Sequence, residues 1–173
     1  MLKLVKMSEE YAEQLTDMMD EWTAAGERII PCAICKHDFH DLKGYIESLE
    51  VKEAGNGLVP DSTFFGLDTE RNLFVGAVNI RHWLNEGLLR TGGHIGDGVR
   101  PGERGKGYGT RLVALALEEC KKLGIERALM CCDKDNVASA RTIQKNGGAL
   151  ENEVEDGGRV VRRYWIDLRG PVD

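Results

Sequence analysis

The chain has 173 residues, 42% of them hydrophobic, enough to bury one sizeable core without disulfides or a metal. Its 23 Lys and Arg against 29 Asp and Glu leave a net charge of -6, which argues against nucleic acid or an anionic membrane as the main partner and suits an amine-bearing one. No run nears the roughly 20 apolar residues of a membrane span, residues 1–10 lack the apolar core of a signal peptide, and five cysteines, an odd number, make no disulfide framework, so a single cytosolic domain over 1–173 is expected.

Residues 2–7 alternate as a short strand, and Ser8 precedes a helix predicted to run to about Ala25. Its Tyr11, Leu15, Met18, Met19 and Trp22 form one apolar stripe, with Gly26 as the stop. Beyond an irregular loop, Phe39, Leu42, Tyr45, Ile46 and Leu49 predict a second amphipathic helix over 38–52, ended by Gly55-Asn56-Gly57. Residues 63–67 and 73–83 read as an antiparallel hairpin around a polar turn, and 93–100 as a further strand closed by Pro101.

A helix over 109–123 follows, with Leu112, Val113, Leu115, Ala116 and Leu117 as its apolar face and Gly124 as its stop. Residues 128–133 read as a buried strand and 136–146 as a helix capped by Asn136. Strands over 149–154 and 159–168 flank Asp156-Gly157-Gly158, a strong hairpin signal.

The segment that carries chemistry is Val99-Arg100-Pro101-Gly102-Glu103-Arg104-Gly105-Lys106-Gly107-Tyr108-Gly109-Thr110, a strand end, a basic glycine-rich turn and a helix start. Glycine lets backbone approach a ligand closely, and free amides at a helix start attract an anion, so a phosphate or pyrophosphate is the ligand implied. The Walker spelling fails, because Arg100 stands where its first glycine belongs and Gly107 follows Lys106. The dinucleotide spelling fails too, at Thr110.

What fits is Arg104-x-x-Gly107-x-Gly109, which resembles the (Q/R)-x-x-G-x-(G/A) signature of the GNAT superfamily of N-acyltransferases. The segment Asn136–Gly148 resembles the superfamily's next helix, and the element order agrees along the chain. Arg81-His82-Trp83-Leu84-Asn85 and His94-Ile95-Gly96-Asp97-Gly98-Val99-Arg100-Pro101 are similar to uncharacterised bacterial acetyltransferases of that superfamily.

The resemblance implies an α/β fold of the α+β type: a mixed, mostly antiparallel sheet flanked by helices, its Val99 and Cys131 strands splayed around the pantetheine arm of acetyl-CoA. Backbone groups around Val99 would pair with that arm, and the amides of Arg104, Gly105, Lys106, Gly107, Tyr108, Gly109 and Thr110 would hold the pyrophosphate. Asn136 either touches the cofactor or only caps its helix, and Ser139 either touches it or only faces solvent. The acceptor would be a small-molecule or peptide amine, with no nucleic acid or membrane involved and with homodimer assembly left open. The loop before the second helix would wall the acceptor pocket, with Glu27, Asp38 and Asp41 available to a cationic group.

Acetylating an amine needs a base, because an amine's pKa lies near 10. His94 and Asp97 are the expected catalytic residues, both reaching the site only if a bulge at Gly96 or Gly98 overrides strand alternation. An amide near Gly98 or Val99 would hold the oxyanion. Many relatives carry a tyrosine seven residues after the position of Asn136, where this chain has Ile143. The acid therefore stays unassigned, with Tyr108 and Tyr164 as tyrosines of the right type. That gap keeps a non-catalytic CoA-sensing module as the alternative. Cys32-x-x-Cys35-x-His37-x-x-His40 lacks usual zinc-finger spacing, so no metal is expected.

Overall fold

The computed structural model describes residues 1–170; the last three residues of the expected domain lie outside them. Seven strands form two sheets. Strands β1 (Leu2–Val5), β2 (Asp61–Asp68), β3 (Leu73–Arg81) and β4 (Ile95–Val99) make one, in that order. In the other, β5 (Arg127–Asp133) pairs with β7 (Arg159–Asp167), which pairs with β6 (Ala149–Asp156). Every pairing is antiparallel, and each strand lies within about two residues of its expected span.

The helices are α1 (Ala12–Ala24), α2 (Leu42–Ser48), α3 (Tyr108–Lys122) and α4 (Val137–Lys145). The stripe of α1 is buried as its spacing requires, and Leu15, Met18, Met19 and Trp22 pack with Tyr45, Phe65, Phe74 and Ala77 on one face of the first sheet. On the opposite face α3 contributes Leu112, Val113, Ala116 and Leu117 to a core shared with Val78, Ile80, Ile95 and Ile143. The α2 helix is much shorter than the expected 38–52. Asp41 caps it by accepting from the Gly44 amide at 3.3 Å, so Phe39 reaches the core from a turn.

Helix stops follow backbone chemistry: Gly26 and Gly124 have φ of +66° and +77°, which other residues rarely adopt. The β6–β7 hairpin turns on Gly157 and Gly158, both at positive φ, as a two-residue connection with right-handed strand twist demands.

One buried cation ties α1 to the end of β4. Arg100 is 3% exposed; its Nε donates to Glu21 Oε2 at 2.7 Å and its Nη1 to Asp17 Oδ2 at 2.6 Å, with a further bond to the Phe74 carbonyl at 3.2 Å. Glu21 also accepts from the Gly102 amide at 2.6 Å, so the same carboxylate holds the segment just after β4. Arg100→Met should lower the unfolding free energy by about 3 kcal/mol, the scale of removing one member of a buried charge network. Urea denaturation checks this, and a loss under about 1 kcal/mol would show that the network is merely superficial.

Candidate active site

Strands β4 and β5 meet at one residue and then part. The His94 amide donates to the Leu129 carbonyl at 2.7 Å, while the Leu129 amide donates to His94 Nδ1 at 2.9 Å. The imidazole thus takes the place of the main-chain carbonyl that a continuing ladder would supply. Before it, Gly93 has φ of +71°, and a Cβ there would stand 2.7 Å from the Leu129 carbonyl oxygen. Past this clamp the two strands belong to different sheets, and β4 becomes an open edge.

Strand alternation decides what that edge offers. The Arg100 amide and the His94 carbonyl bond β3, so the backbone groups of Ile95, Asp97 and Val99 turn the other way, toward the gap. Of the amides of Gly98 and Val99, only that of Val99 faces the gap. The β3–β4 register runs without a shift from Ile80–Ile95 to Gly76–Val99, so the expected bulge is absent.

Between β4, the 26–30 loop, the start of α3 and the outer face of α4 lies a cleft of about 840 Å³. It is lined by Asp97, Val99, Arg104, Gly105, Gly107, Tyr108, Gly109, Thr110, Asn136 and Ser139, ten of the twelve residues expected at the site. A second depression, of about 610 Å³, between residues 133–136 and 158–160 shares only Asn136 with it. Helix α3 is preceded by Gly107 at its N-cap, whose φ is +83° and which has no side chain to cap the first amides. Those amides, lacking intrahelical acceptors, point into the cleft with the positive end of the helix dipole.

The loop around them is pinned from outside. Arg71 grips Glu103 through Nη1 at 3.0 Å and Nη2 at 2.7 Å and gives its Nε to Asp68 at 3.0 Å, and the Tyr108 hydroxyl donates to Asp68 at 2.7 Å. The hydroxyl and Arg71 guanidinium hold the Asp68 carboxyl well below its usual range, and Arg71 does the same for Glu103.

Several side chains do other work than expected. Lys106 pairs with Glu103 at 3.3 Å, outside the cleft. Arg104, which lines the cleft, donates to the Val99 carbonyl at 3.1 Å and pairs with Glu27 at 2.7 Å. Arg141 and Lys145, with Ala138 and Thr142, supply the wall of α4 instead. Their spacing of three and four residues, opposite the buried Ala140 and Ile143, was the available signal for this face. Asn136 caps α4, its Oδ1 accepting from the Ser139 amide at 3.1 Å.

The two expected bases separate. His94 is 6% exposed, and burial followed by the Arg81 charge pulls its pKa down to about 4. With Nδ1 accepting an amide proton, the neutral ring carries its own proton on Nε2 and has no lone pair left to act as a base. The catalytic role expected of His94 is therefore withdrawn in favour of the clamp. Asp97 lines the cleft without a hydrogen-bond partner among the described residues, and desolvation raises its pKa to about 6.

Neither tyrosine serves as an acid: Tyr164 is 1% exposed in the core, and the Tyr108 hydroxyl is committed to Asp68. Ile143 is fully buried. Asp38 and Asp41 are paired with His40 and His37, each at 2.7 Å. Cys32 and Cys35 are free and exposed, and no group of three His, Cys, Asp or Glu among the described residues is arranged for a metal. No helix among them is long and apolar enough to cross a membrane.

The profile of the acetyltransferase (GNAT) family matches residues 10–148. Among solved structures, the microcin C7 self-immunity acetyltransferase MccE, in complex with acetyl-CoA and AMP, shares 19% identity over 96% of this chain and 92% of its own, with a TM-score of 0.65. A GNAT-family acetyltransferase from Bacillus anthracis shares 18% identity over 96% of this chain and 95% of its own, at 0.65. A chimera of the Vibrio cholerae spermidine N-acetyltransferase SpeG and hSSAT shares 15% over 96% of both chains, at 0.63. At these identities the likeness is one of fold. No curated protein matches at a significant level.

His94→Ala should destabilise the chain by about 1–3 kcal/mol, because the Leu129 amide loses its acceptor in a buried site. The sign with pH follows from a folded pKa below the ordinary one: the stability His94 gives is fully present above about 6.5 and is lost as pH falls toward 4. Unfolding curves across that window should show the wild-type loss and a flatter variant.

Proposed function

The chain belongs to the acetyltransferase (GNAT) family, and on that premise we propose that it moves the acetyl group of acetyl-CoA directly to a primary amine, with Asp97 as the base. The observation that carries the reading is the juxtaposition of an uncapped α3 N-terminus and the open edge of β4 in one cleft. The first is built for an anion and the second for an amide-bearing arm.

Acetyl-CoA, the acyl donor, brings an activated thioester. The amides of Gly105 through Thr110 hold its pyrophosphate, Arg141 and Lys145 add charge, and the edge groups of Asp97 meet the pantetheine arm. The Val99 amide stands ready for the oxyanion. Asp97, ionised above pH 6, accepts the amine's proton directly or through a water. Proton delivery to the thiolate falls to solvent, since Tyr108 is bonded to Asp68 and Tyr164 is buried in the core.

The acceptor is a small-molecule or peptide amine that enters from the 26–35 loop. We take the chain as one acyltransferase domain acting in the cytosol, in keeping with its five free thiols. Homodimer assembly is left to ultracentrifugation.

Two experiments test this. Gly109→Val should weaken CoA binding by about 10-fold or more, the cost of one lost charge-assisted hydrogen bond, because a Cβ at Gly109 already lies 3.6 Å from Thr142 Oγ1 and 3.7 Å from Val99 Cγ2. Gly109→Ala, whose methyl fits that space, should bind nearly as wild type in calorimetry. In thioester-consumption assays with an amine panel, kcat/KM should show a break near pH 6 on top of the amine's own titration. Asp97→Asn should remove the break and lower turnover by about 10² to 10⁴ at neutral pH, with the deficit shrinking toward the amine's pKa. CoA binding without consumption of thioester by any amine would favour the sensing module, to which the absent tyrosine points.

A further inference from the structure

The surroundings of the five cysteines divide them into two kinds. Cys120 and Cys132 are buried and Cys131 half-buried, and burial pushes all three thiols up, Cys120 to about 12 and Cys131 to about 11. Such thiols keep their protons and stay inert, because the thiolate is the nucleophile. Cys32 and Cys35 are exposed instead, at the first and last positions of a single 3₁₀ turn in the loop between α1 and α2. Their neighbours His37 and His40 are paired with Asp41 and Asp38, each at 2.7 Å, so the four residues do not converge as metal ligands.

The turn sets the two cysteines on one side. A 3₁₀ helix has three residues per turn and rises about 2.0 Å per residue, so side chains three apart eclipse and their Cα atoms lie about 6 Å apart. A disulfide spans roughly 4.4–6.8 Å between Cα atoms, so joining this pair needs only side-chain rotation. Between them Ala33 and Ile34 are buried and hold the turn to the core, and the Ile34 amide donates to the Pro31 carbonyl at 3.1 Å. The two sulfurs differ in their partners. Cys32 Sγ accepts from Arg28 Nη2 at 3.0 Å, a guanidinium contact that favours negative charge as it develops on sulfur. Cys35 Sγ donates to the carbonyls of Cys32 at 3.3 Å and Ile29 at 3.8 Å, and desolvation of the sulfur, followed by the neighbouring Cys32, raises its pKa. One sulfur is thus placed to attack, and the other holds its proton across the same turn.

We propose that Cys32 and Cys35 form an oxidisable dithiol site whose oxidant is hydrogen peroxide or a related hydroperoxide. The Cys32 sulfur attacks one peroxide oxygen, the O–O bond breaks, and the departing hydroxide takes the thiol proton as water, which leaves a sulfenic acid on Cys32. The Cys35 sulfur then attacks that sulfur, the S–O bond breaks, and a second water leaves with the Cys35 proton. Two thiols are oxidised to one disulfide while one peroxide is reduced to two waters, and a thiol reductant reverses the change. The site adjoins the wall of the cleft: Arg28 lines it, and the Ile30 carbonyl packs against Gly98 of β4 so closely that a Cβ there would clash with it.

The test reads thiols and mass, not acetyl transfer. The full chain, reduced and then given one equivalent of hydrogen peroxide, should lose two of its five thiols and two hydrogens of intact mass, with peptide mapping showing Cys32 joined to Cys35 within one chain. Dithiothreitol should restore both thiols. Cys35→Ser should stop at the sulfenic acid, trapped on Cys32 by dimedone, and Cys32→Ser should react more slowly than Cys35→Ser. Arg28→Gln should slow the first step by about 10-fold, the scale of one charge-assisted hydrogen bond. Loss of all five thiols at similar rates, a disulfide between two chains, faster oxidation of Cys32→Ser than of Cys35→Ser, or an unchanged rate in Arg28→Gln would overturn the proposal. Should a variant fail to fold, the thiol count and mapped disulfide of the wild-type chain decide by themselves.

Discussion

The site exists because two neighbouring strands are stopped from pairing. A histidine side chain occupies the position of a ladder acceptor at His94, and a glycine at positive φ lets the chain approach Leu129 closely enough for that to happen. Backbone groups without partners are normally a liability at a buried sheet centre. Here they face a cleft, and the same unmet hydrogen bonds that cost stability are, in the proposed reading, what holds an extended amide-bearing arm.

An open edge is useful only if the opposite wall stays in place. Arg100 fixes the end of β4 to α1 through Asp17 and Glu21, and the Arg71–Glu103–Asp68–Tyr108 cluster fixes the glycine turn to the β2–β3 connection. Charge within the loop is paired in these anchors, Arg104 with Glu27 and Lys106 with Glu103, which leaves the first amides of α3 as the loop's unpartnered donors. The arrangement sets the anion against oriented dipoles on a rigid element rather than against mobile side chains.

Much of this was legible in the chain. Glycine spacing after Val99 located the turn that lines the cleft, and three- and four-residue periodicity located α1, α3 and α4, because those patterns reflect local backbone and packing rules. What the chain concealed depends on distant partners. Nothing near His94 announces that its ring meets Leu129, thirty-five positions away. Nor does the glycine turn announce that its basic side chains meet Glu27 and Glu103, which the fold brings in. The α2 helix was overextended because Phe39 satisfies the apolar spacing from a capped turn.

The account turns on the claim that main-chain amides of one turn and one strand edge receive the cofactor. Backbone amide hydrogen exchange, measured with and without saturating CoA, tests that claim directly. Protection should appear over Val99–Thr110 and along α4, with little change in β6 and β7. Protection elsewhere, or unaltered exchange from Gly105 to Thr110 in protein that demonstrably binds CoA, would contradict it.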